Sequence, residues 1–329
     1  MQRTFLLLLL IALCATPAWA QDAKRSPVTV NVCGQPQTYA SVPRRAVTHD
    51  VNITEMFLFL GLADRLVGYS GMYAGKDASP QIVPILARVP NLSPQGMNQE
   101  NIVAAQADFV FGGWSYGFQQ GGVTPQLLAR YGIASYVLTE SCIRVQKRAD
   151  VALEDTFVDM DNVARIFGVQ RQVAPRIQQL RDDLALLRQQ MRGNASQPRV
   201  FVFDSGEKIP TTVGRYGMPQ AMLEAAGARN IFDDIASNWP KGNWEDVVLR
   251  DPEWIVIIDY GQPSAQGKMD FLLQKKELQT VNAIRNKRFF VMTYAEATPG
   301  PRNVETAQRL AAALHPQREI TVTPVRFQP

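Results

Sequence analysis

The sequence predicts an α/β protein of two lobes with mainly parallel sheets, joined by one long helix, with a ligand cleft between the lobes. Three observations predict it. Short apolar runs rich in β-branched and aromatic residues alternate with amphipathic stretches. A helix–strand unit is written twice, at residues 98–111 and 243–256. Between the copies lies a polar-rich helical pattern over residues 171–191, long enough to reach roughly 30 Å.

The first twenty residues read as an export leader. Arg3 supplies the positive start, residues 5–14 form an unbroken apolar run, and Ala18-Trp19-Ala20 puts small residues at the two positions a signal peptidase reads. The run is shorter than the about 20 apolar residues that span a bilayer. Leu13, just before Cys14, is too large for a lipoprotein signal. The mature chain is expected to be soluble and to begin near Gln21. It exceeds one ordinary core, so two lobes are the size-based expectation. The expected division is a first lobe over 21–150, a lobe helix and the connecting helix over 151–193, and a second lobe over 194–316. An extended tail with little core content, 317–329, follows.

Strand signals fall at 46–48, 108–111, 134–138, 199–203, 254–258 and 288–292. After the first of these, residues 52–62 read as a helix. Asn52 stands as its cap, Glu55 returns the bond as in a capping box, and Ile53, Met56, Phe57 and Leu60 share one face before Gly61. Asn98-Gln99-Glu100-Asn101-Ile102-Val103 and Asn243-Trp244-Glu245-Asp246-Val247-Val248 then align without a gap, each followed by an apolar strand. In both, Asn caps a short helix with Glu in its first turn. A second echo pairs residues 56–61 with 222–227, and a third pairs Val137 and Thr139 with Val291 and Thr293. In the long helix, Ile177, Leu180, Leu184, Leu187 and Met191 recur three or four apart, and Pro175 is placed in the first turn, where proline is tolerated.

Charge and composition exclude several function classes. The net charge is +4, with no basic block or basic–aromatic interleave of the kind that binds nucleic acid. The modest positive balance favours an anionic ligand. The only histidines, His49 and His315, have no carboxylate partners in a ligating pattern, which argues against a site for a bare transition metal. Past the leader two cysteines remain, Cys33 and Cys142. In an oxidising compartment an even pair points to one disulfide, and two separately buried thiols are the other reading.

In open α/β sheets ligands gather beyond the carboxyl ends of strands. The candidate ligand-binding residues there are His49, Asn52, Tyr69, Tyr73, Trp114 and Tyr116 from the first lobe. Arg215, Tyr216, Trp239, Trp244, Tyr260, Tyr294 and Arg302 come from the second. Asp50, Thr139, Glu140 and Ser205 lie at the same strand exits and are further candidates. Aromatic faces bury planar chelate parts, and arginine forks recognise anionic oxygens around a metal.

Over residues 28–316 the chain resembles the siderophore- and vitamin B12-type periplasmic binding proteins. The resemblance rests on Arg45-Ala46-Val47-Thr48 leading into Asn52-Ile53-Thr54-Glu55, on Gly96-Met97 with the first repeat, on Trp239-Pro240 with the second, and on Pro301-Arg302 through His315. It implies Rossmann-like lobes, a periplasmic location, and delivery of a metal chelate to an ABC permease dimer by a monomer with no cofactor of its own. A ferric siderophore is the first expected ligand, with cobalamin and haem as alternatives. Glu100 and Glu245 match the carboxylates that dock on the permease in that family. A sensor or scaffold role on the same fold is a further reading.

One string competes for a different class. Gly113-Trp114-Ser115-Tyr116-Gly117 fits G-x-S-x-G after an apolar strand, but a nucleophile elbow needs a helix directly after the serine, and Gly121-Gly122 follows instead. Ser115→Ala is therefore expected to leave hydrolysis of a chromogenic ester unchanged. Serine-dependent turnover in that assay would overturn a binding role.

Overall fold

A computed structural model describes residues 26–327. The expected leader, residues 1–20, lies outside the described residues. Among the described residues no helix is long and apolar enough to cross a membrane.

The chain opens with a hairpin, β1 (Val28–Val32) and β2 (Gln35–Tyr39). A disulfide from Cys33 to Cys142 and a bond from the Tyr39 hydroxyl to the Ser135 carbonyl, 2.7 Å, pin it to the first lobe. The first-lobe sheet contains β3 (Ala46–His49), β4 (Leu66–Ser70), β5 (Asn91–Ser93), β6 (Phe109–Trp114), β7 (Gly117–Phe118) and β8 (Ala134–Val137). The second-lobe sheet contains β9 (Arg199–Phe203), β10 (Arg229–Asn230), β11 (Trp254–Asp259) and β12 (Phe289–Thr293).

Both sheets are parallel, and their orders match. The first runs β5-β4-β3-β6 with β8 also on β6, and the second runs β10-β9-β11-β12. Leaving out the edge strand β5 and the short β7, each lobe places its second strand, first, third and fourth side by side. The doubled sequence unit is thus a doubled topology. The central strands β3 and β6 are buried along their whole length, as parallel strands covered on both faces are. β4 escapes the apolar pattern because Val67 and Tyr69 are half-buried and Gly68 interrupts the run.

The first helix differs from its sequence reading. It runs Val51–Phe59 and is capped by Asp50, whose carboxylate accepts from the Val51 N–H at 2.8 Å. Asn52 and Glu55 lie inside the helix and form no capping box, because both side chains bond the second lobe instead. The second echo holds: the helices Val51–Phe59 and Met218–Ala225 are followed by Gly61 and Gly227, both at positive φ.

The long helix is Gln170–Gln190, and Pro175 falls in its second turn rather than its first. An antiparallel partner, Leu153–Phe167, runs beside it, with Arg181 paired to Asp161 and Arg188 to Glu154. Phe167 packs on Phe57 and Phe109 of the first lobe. At the opposite end of the pair, Leu153 and Arg188 meet Ala221 and Glu224 of the second lobe. The connection is a two-helix brace.

The tail corrects an expectation. Val325 and Phe327 are buried, and Phe327 packs edge-on against Phe59. After His315 the chain returns from the second lobe past Asp183 and Glu305 to the first, where Gln81 bonds the Val325 carbonyl and the Phe327 N–H, each at 3.0 Å. Apolar side chains at alternate positions of an extended strap leave no helical periodicity to read. Phe327→Ala is expected to destabilise the fold by about 3 kcal/mol in urea unfolding. An unchanged midpoint would show that the strap carries no stability.

Candidate ligand-binding site

The crevice of an open parallel sheet opens where neighbouring strands send their chains to opposite sides. Here that point lies between β3 and β6 in one lobe and between β9 and β11 in the other. Asp50 follows β3 and Asp204 follows β9, at equivalent places. Each receives a tyrosine hydroxyl: Tyr294 donates to Asp50 at 2.8 Å and Tyr260 to Asp204 at 3.0 Å. Each also has a lysine nearby. Lys76 Nζ lies 2.7 and 2.8 Å from the two Asp50 oxygens, and Lys268 Nζ donates to the carbonyls of Asp204 and Ile258, both at 2.6 Å.

The two arrays touch. The Tyr260 and Tyr294 rings meet edge to face at 5.3 Å, Lys76 sits 4.0 Å over Tyr294, and Lys268 sits 4.5 Å over Tyr260. Burial pushes both phenols well above their ordinary range, with Asp204 and Asp50 adding to it, so both stay donors. At the rim the Gly261 N–H bonds the Gly75 carbonyl of the other lobe at 3.1 Å. Gly75 has φ +90, and a Cβ there would stand 2.4 Å from the Gly261 nitrogen, so only glycine allows this approach.

Deeper along the seam, Tyr116 of the first lobe lies beside Glu140 and beside Trp239 of the second. None of these neighbours reaches hydrogen-bond geometry: the Tyr116 hydroxyl and both Glu140 oxygens are buried without a partner. Burial pushes the Glu140 carboxyl up from 4.5 to about 8, against smaller downward influences from Tyr116, Arg144 and Arg148. Just beyond, a cavity of about 580 Å³ is lined by residues 143–148 of the first lobe and by Tyr216 and Ala236 of the second. Arg144 and Lys147 in its wall make no ion pair among the described residues, whereas Arg148 pairs with Asp155.

Two parallel sheets of one topology, facing each other across an aromatic and polar seam, form a trap for a ligand. Comparison with known proteins agrees: the chain matches the model of the periplasmic binding protein family over residues 47–295. The chain belongs to that family. Its members bind substrates and are not enzymes, and they work with ABC permeases. A vitamin B12-binding protein from Photorhabdus laumondii is 27% identical over 222 residues, 68% of this chain and 73% of that one. Another from Pectobacterium carotovorum is 24% identical over 275 residues, 83% and 89% of the two chains. A solved periplasmic binding protein from Veillonella parvula superposes with a TM-score of 0.76 at 26% identity, covering 88% of this chain and 98% of that one. The ABC-type Fe3+-hydroxamate transport system from Saccharomonospora viridis gives 0.75 at 21% identity, covering 88% and 99%, a likeness of fold.

In this binding protein the sequence-predicted residues divide. Tyr73, Tyr116, Tyr216, Trp239, Tyr260 and Tyr294 gather at the seam between the lobes. Trp244 does not. It is core, packed among Phe201, Phe203 and Phe271, with its indole N–H on the Glu207 carbonyl at 2.9 Å. Asn52 and Arg302 tie the lobes together: Asn52 donates to the Pro299 carbonyl at 2.8 Å, and Arg302 forks onto Glu55 at 2.8 and 3.1 Å. His49 is a buried structural residue. Its Nδ1 lies 2.8 Å from the Ser70 hydroxyl, Gly71 and Gly117 press on the ring, and burial lowers its pKa to about 4. Trp114 is buried against Phe118. Tyr69 lines a cavity of about 310 Å³ on the first lobe that adjoins the seam through Tyr73 and Lys76. Arg215 is exposed and bonds the Asp233 carbonyl. Ser115 sits in a tight turn at φ +72 with no helix after it, and His315 is buried within the second lobe on the Ala226 carbonyl, so no triad forms.

Asp50 and Glu140, candidates at their strand exits, do lie at the seam; sequence reasoning left out Lys76 and Asp204. The signal for Asp204 was present: aligning the first strands of the halves puts Thr48-His49-Asp50 against Val202-Phe203-Asp204. The two repeated glutamates are exposed in the first turns of Gln99–Ala104 and Trp244–Arg250. These helices are capped alike, by Asn98 on the Asn101 N–H and Asn243 on the Asp246 N–H. Each helix precedes the third strand of its lobe, so its N-terminus lies at the cleft-side edge of the sheet.

Since folding favours the protonated Glu140, its contribution to stability is fully present below about pH 4.5 and is lost as pH rises toward 8. Glu140→Gln stays neutral. Its melting temperature is expected to gain on the wild type as the buffer moves from about pH 5 to about pH 9. A difference that does not change over that range would show that Glu140 is not held neutral by burial.

Proposed function

We propose that this binding protein captures a bulky metal chelate, a ferric siderophore first, between its lobes and delivers it to an ABC permease dimer. The observation that carries the reading is the seam itself. Aromatic rings from both lobes line it, and a cavity between the lobes has in its wall Arg144 and Lys147, cations that make no ion pair among the described residues. Planar chelate faces stack on such rings, and exposed guanidinium and ammonium groups attract the anionic oxygens around ferric iron. The chain acts as carrier with no cofactor of its own; the metal is cargo. Cobalamin is the second reading, favoured by the curated relatives named for vitamin B12.

Glu100 and Glu245 serve as the docking pair. Exposed carboxylates at equivalent places on two like lobes suit a twofold-symmetric partner and steer association with it. The carrier acts as a monomer in the periplasm, exported by its leader.

Quenching of tryptophan fluorescence is expected with ferric siderophores or cyanocobalamin, reported by Trp239 at the seam. No response to any ferric chelate, cobalamin or haemin would end the chelate reading. Reversing both charges, Glu100→Lys with Glu245→Lys, is expected to lower chelate uptake by cells at least tenfold while leaving binding in solution intact. Unchanged uptake would remove the docking role.

A further inference from the structure

The fourth strands of the two lobes end alike, in Val137-Leu138-Thr139-Glu140 and Val291-Met292-Thr293-Tyr294. Glu140 and Tyr294 are thus counterparts at the mouths of matched sheets. Tyr294 reaches across the seam and is satisfied by Asp50 of the opposite lobe. Glu140 has no such partner. The equivalent carboxylate, Asp204, is already taken by Tyr260 and Ser205.

Glu140 is 1% exposed, and its two oxygens and the Tyr116 hydroxyl beside it make no hydrogen bond. Leaving three such atoms unmet costs stability, and buried polar groups in native folds ordinarily find partners. A site that holds them unmet in the empty protein is built for something that arrives. Trp239, from the facing lobe, lies beside the Tyr116 hydroxyl, which places the pair at the seam between the lobes.

We infer that Glu140 and Tyr116 form a recognition nook for a neutral amide group on the ligand. The inference rests on the chelate-carrier reading above and names the chemistry that such a chelate must present. Arg144 and Arg148, close enough to influence Glu140, disfavour an ammonium there. Held neutral by burial, Glu140 both donates and accepts, so its carboxyl matches the N–H and C=O of an amide edge, with the Tyr116 hydroxyl as a third contact. A ligand carboxylate accepts from the Glu140 hydroxyl but has no N–H for the Glu140 carbonyl, so it makes one bond there where an amide edge makes two. The nook therefore selects amide-bearing chelates, hydroxamate siderophores or corrinoids, over haem, whose acidic side chains lack the N–H.

The test uses the whole mature protein with ferrioxamine B, cyanocobalamin and haemin as probes, and three variants. For whichever amide-bearing probe binds, Glu140→Leu is expected to weaken binding roughly 5- to 150-fold, the range for an unmet buried hydrogen bond. Tyr116→Phe is expected to weaken it severalfold, and Glu140→Gln, which keeps a donor and an acceptor, to stay within about threefold of wild type. Glu140→Leu should at the same time raise the melting temperature of the empty protein, because an unmet polar group is gone. A merely structural residue would lose stability instead. Equal binding by wild type and Glu140→Leu, equal losses in Glu140→Gln and Glu140→Leu, or binding of haemin alone would each overturn the nook and leave the carrier reading standing. Should Glu140→Leu not fold, full-strength binding by Tyr116→Phe overturns it. Should the wild type bind none of the three and no other ferric chelate, the carrier reading falls and the nook with it; binding only of a ferric chelate without an amide would overturn the nook alone.

Discussion

One buried carboxylate, Asp50, governs how the two lobes meet. It leaves β3 at φ +75, a conformation with a cost for any residue but glycine, and caps the first helix from there. A charge only 2% exposed must be matched by partners or it would destabilise the fold by several kcal/mol. Its partners come from three places: the Val51 N–H on its own helix, Lys76 on the loop after β4, and Tyr294 from the other lobe. The interlobe contact is therefore part of what keeps this charge satisfied. Closure is favoured by the first lobe's own electrostatics, and a ligand that parts the lobes must replace what Tyr294 supplies.

The seam is not uniformly satisfied, and the contrast bears on function. The Asp50 and Asp204 arrays are complete, with donors aimed at each carboxylate. Glu140, Tyr116 and the Asn52 side-chain oxygen are buried without partners. Complete networks rigidify, whereas unmet groups hold free energy that a matching ligand releases. The satisfied aspartates set the geometry of the seam, and the unmet atoms beside them are the ones that the nook proposed above assigns to cargo.

Much of this was legible in the sequence, and the boundary has a physical meaning. The doubled Asn-x-Glu helix and its strand were readable because capping and strand burial are local demands. They led directly to two lobes of one topology. Burial and pairing across the lobes were not readable. Trp244 sits beside Glu245 in the repeat and looks like a cleft residue, yet the helix turns it into a cage of phenylalanines. Arg302 looks like an anion fork until Glu55, far away in sequence, occupies it. Lys76 carries no motif at all. It is recognised only once the chain folds it onto Asp50.

The arrangement of interlobe contacts also says how the cleft must open. The brace of Leu153–Phe167 with Gln170–Gln190 and the strap ending at Phe327 all cross between the lobes. Arg302 begins the Asn303–Leu314 helix that packs on this brace, so the Arg302–Glu55 and Asn52–Pro299 ties lie next to it. The contacts free to part are those at the mouth: the Gly75–Gly261 backbone bond, the Tyr294–Asp50 bond and the Tyr116–Trp239 packing. Antiparallel helices held by buried apolar faces and ion pairs resist bending, which favours a small pivot of the lobes about the brace over a wide swing. A small pivot is enough, because each mouth contact is a single hydrogen bond or ring contact that is lost within an ångström or two of separation. Glu100 and Glu245 are exposed at the cleft-side edges of opposite lobes, so the docking proposed for them would apply a partner's pull at the two rims of that pivot.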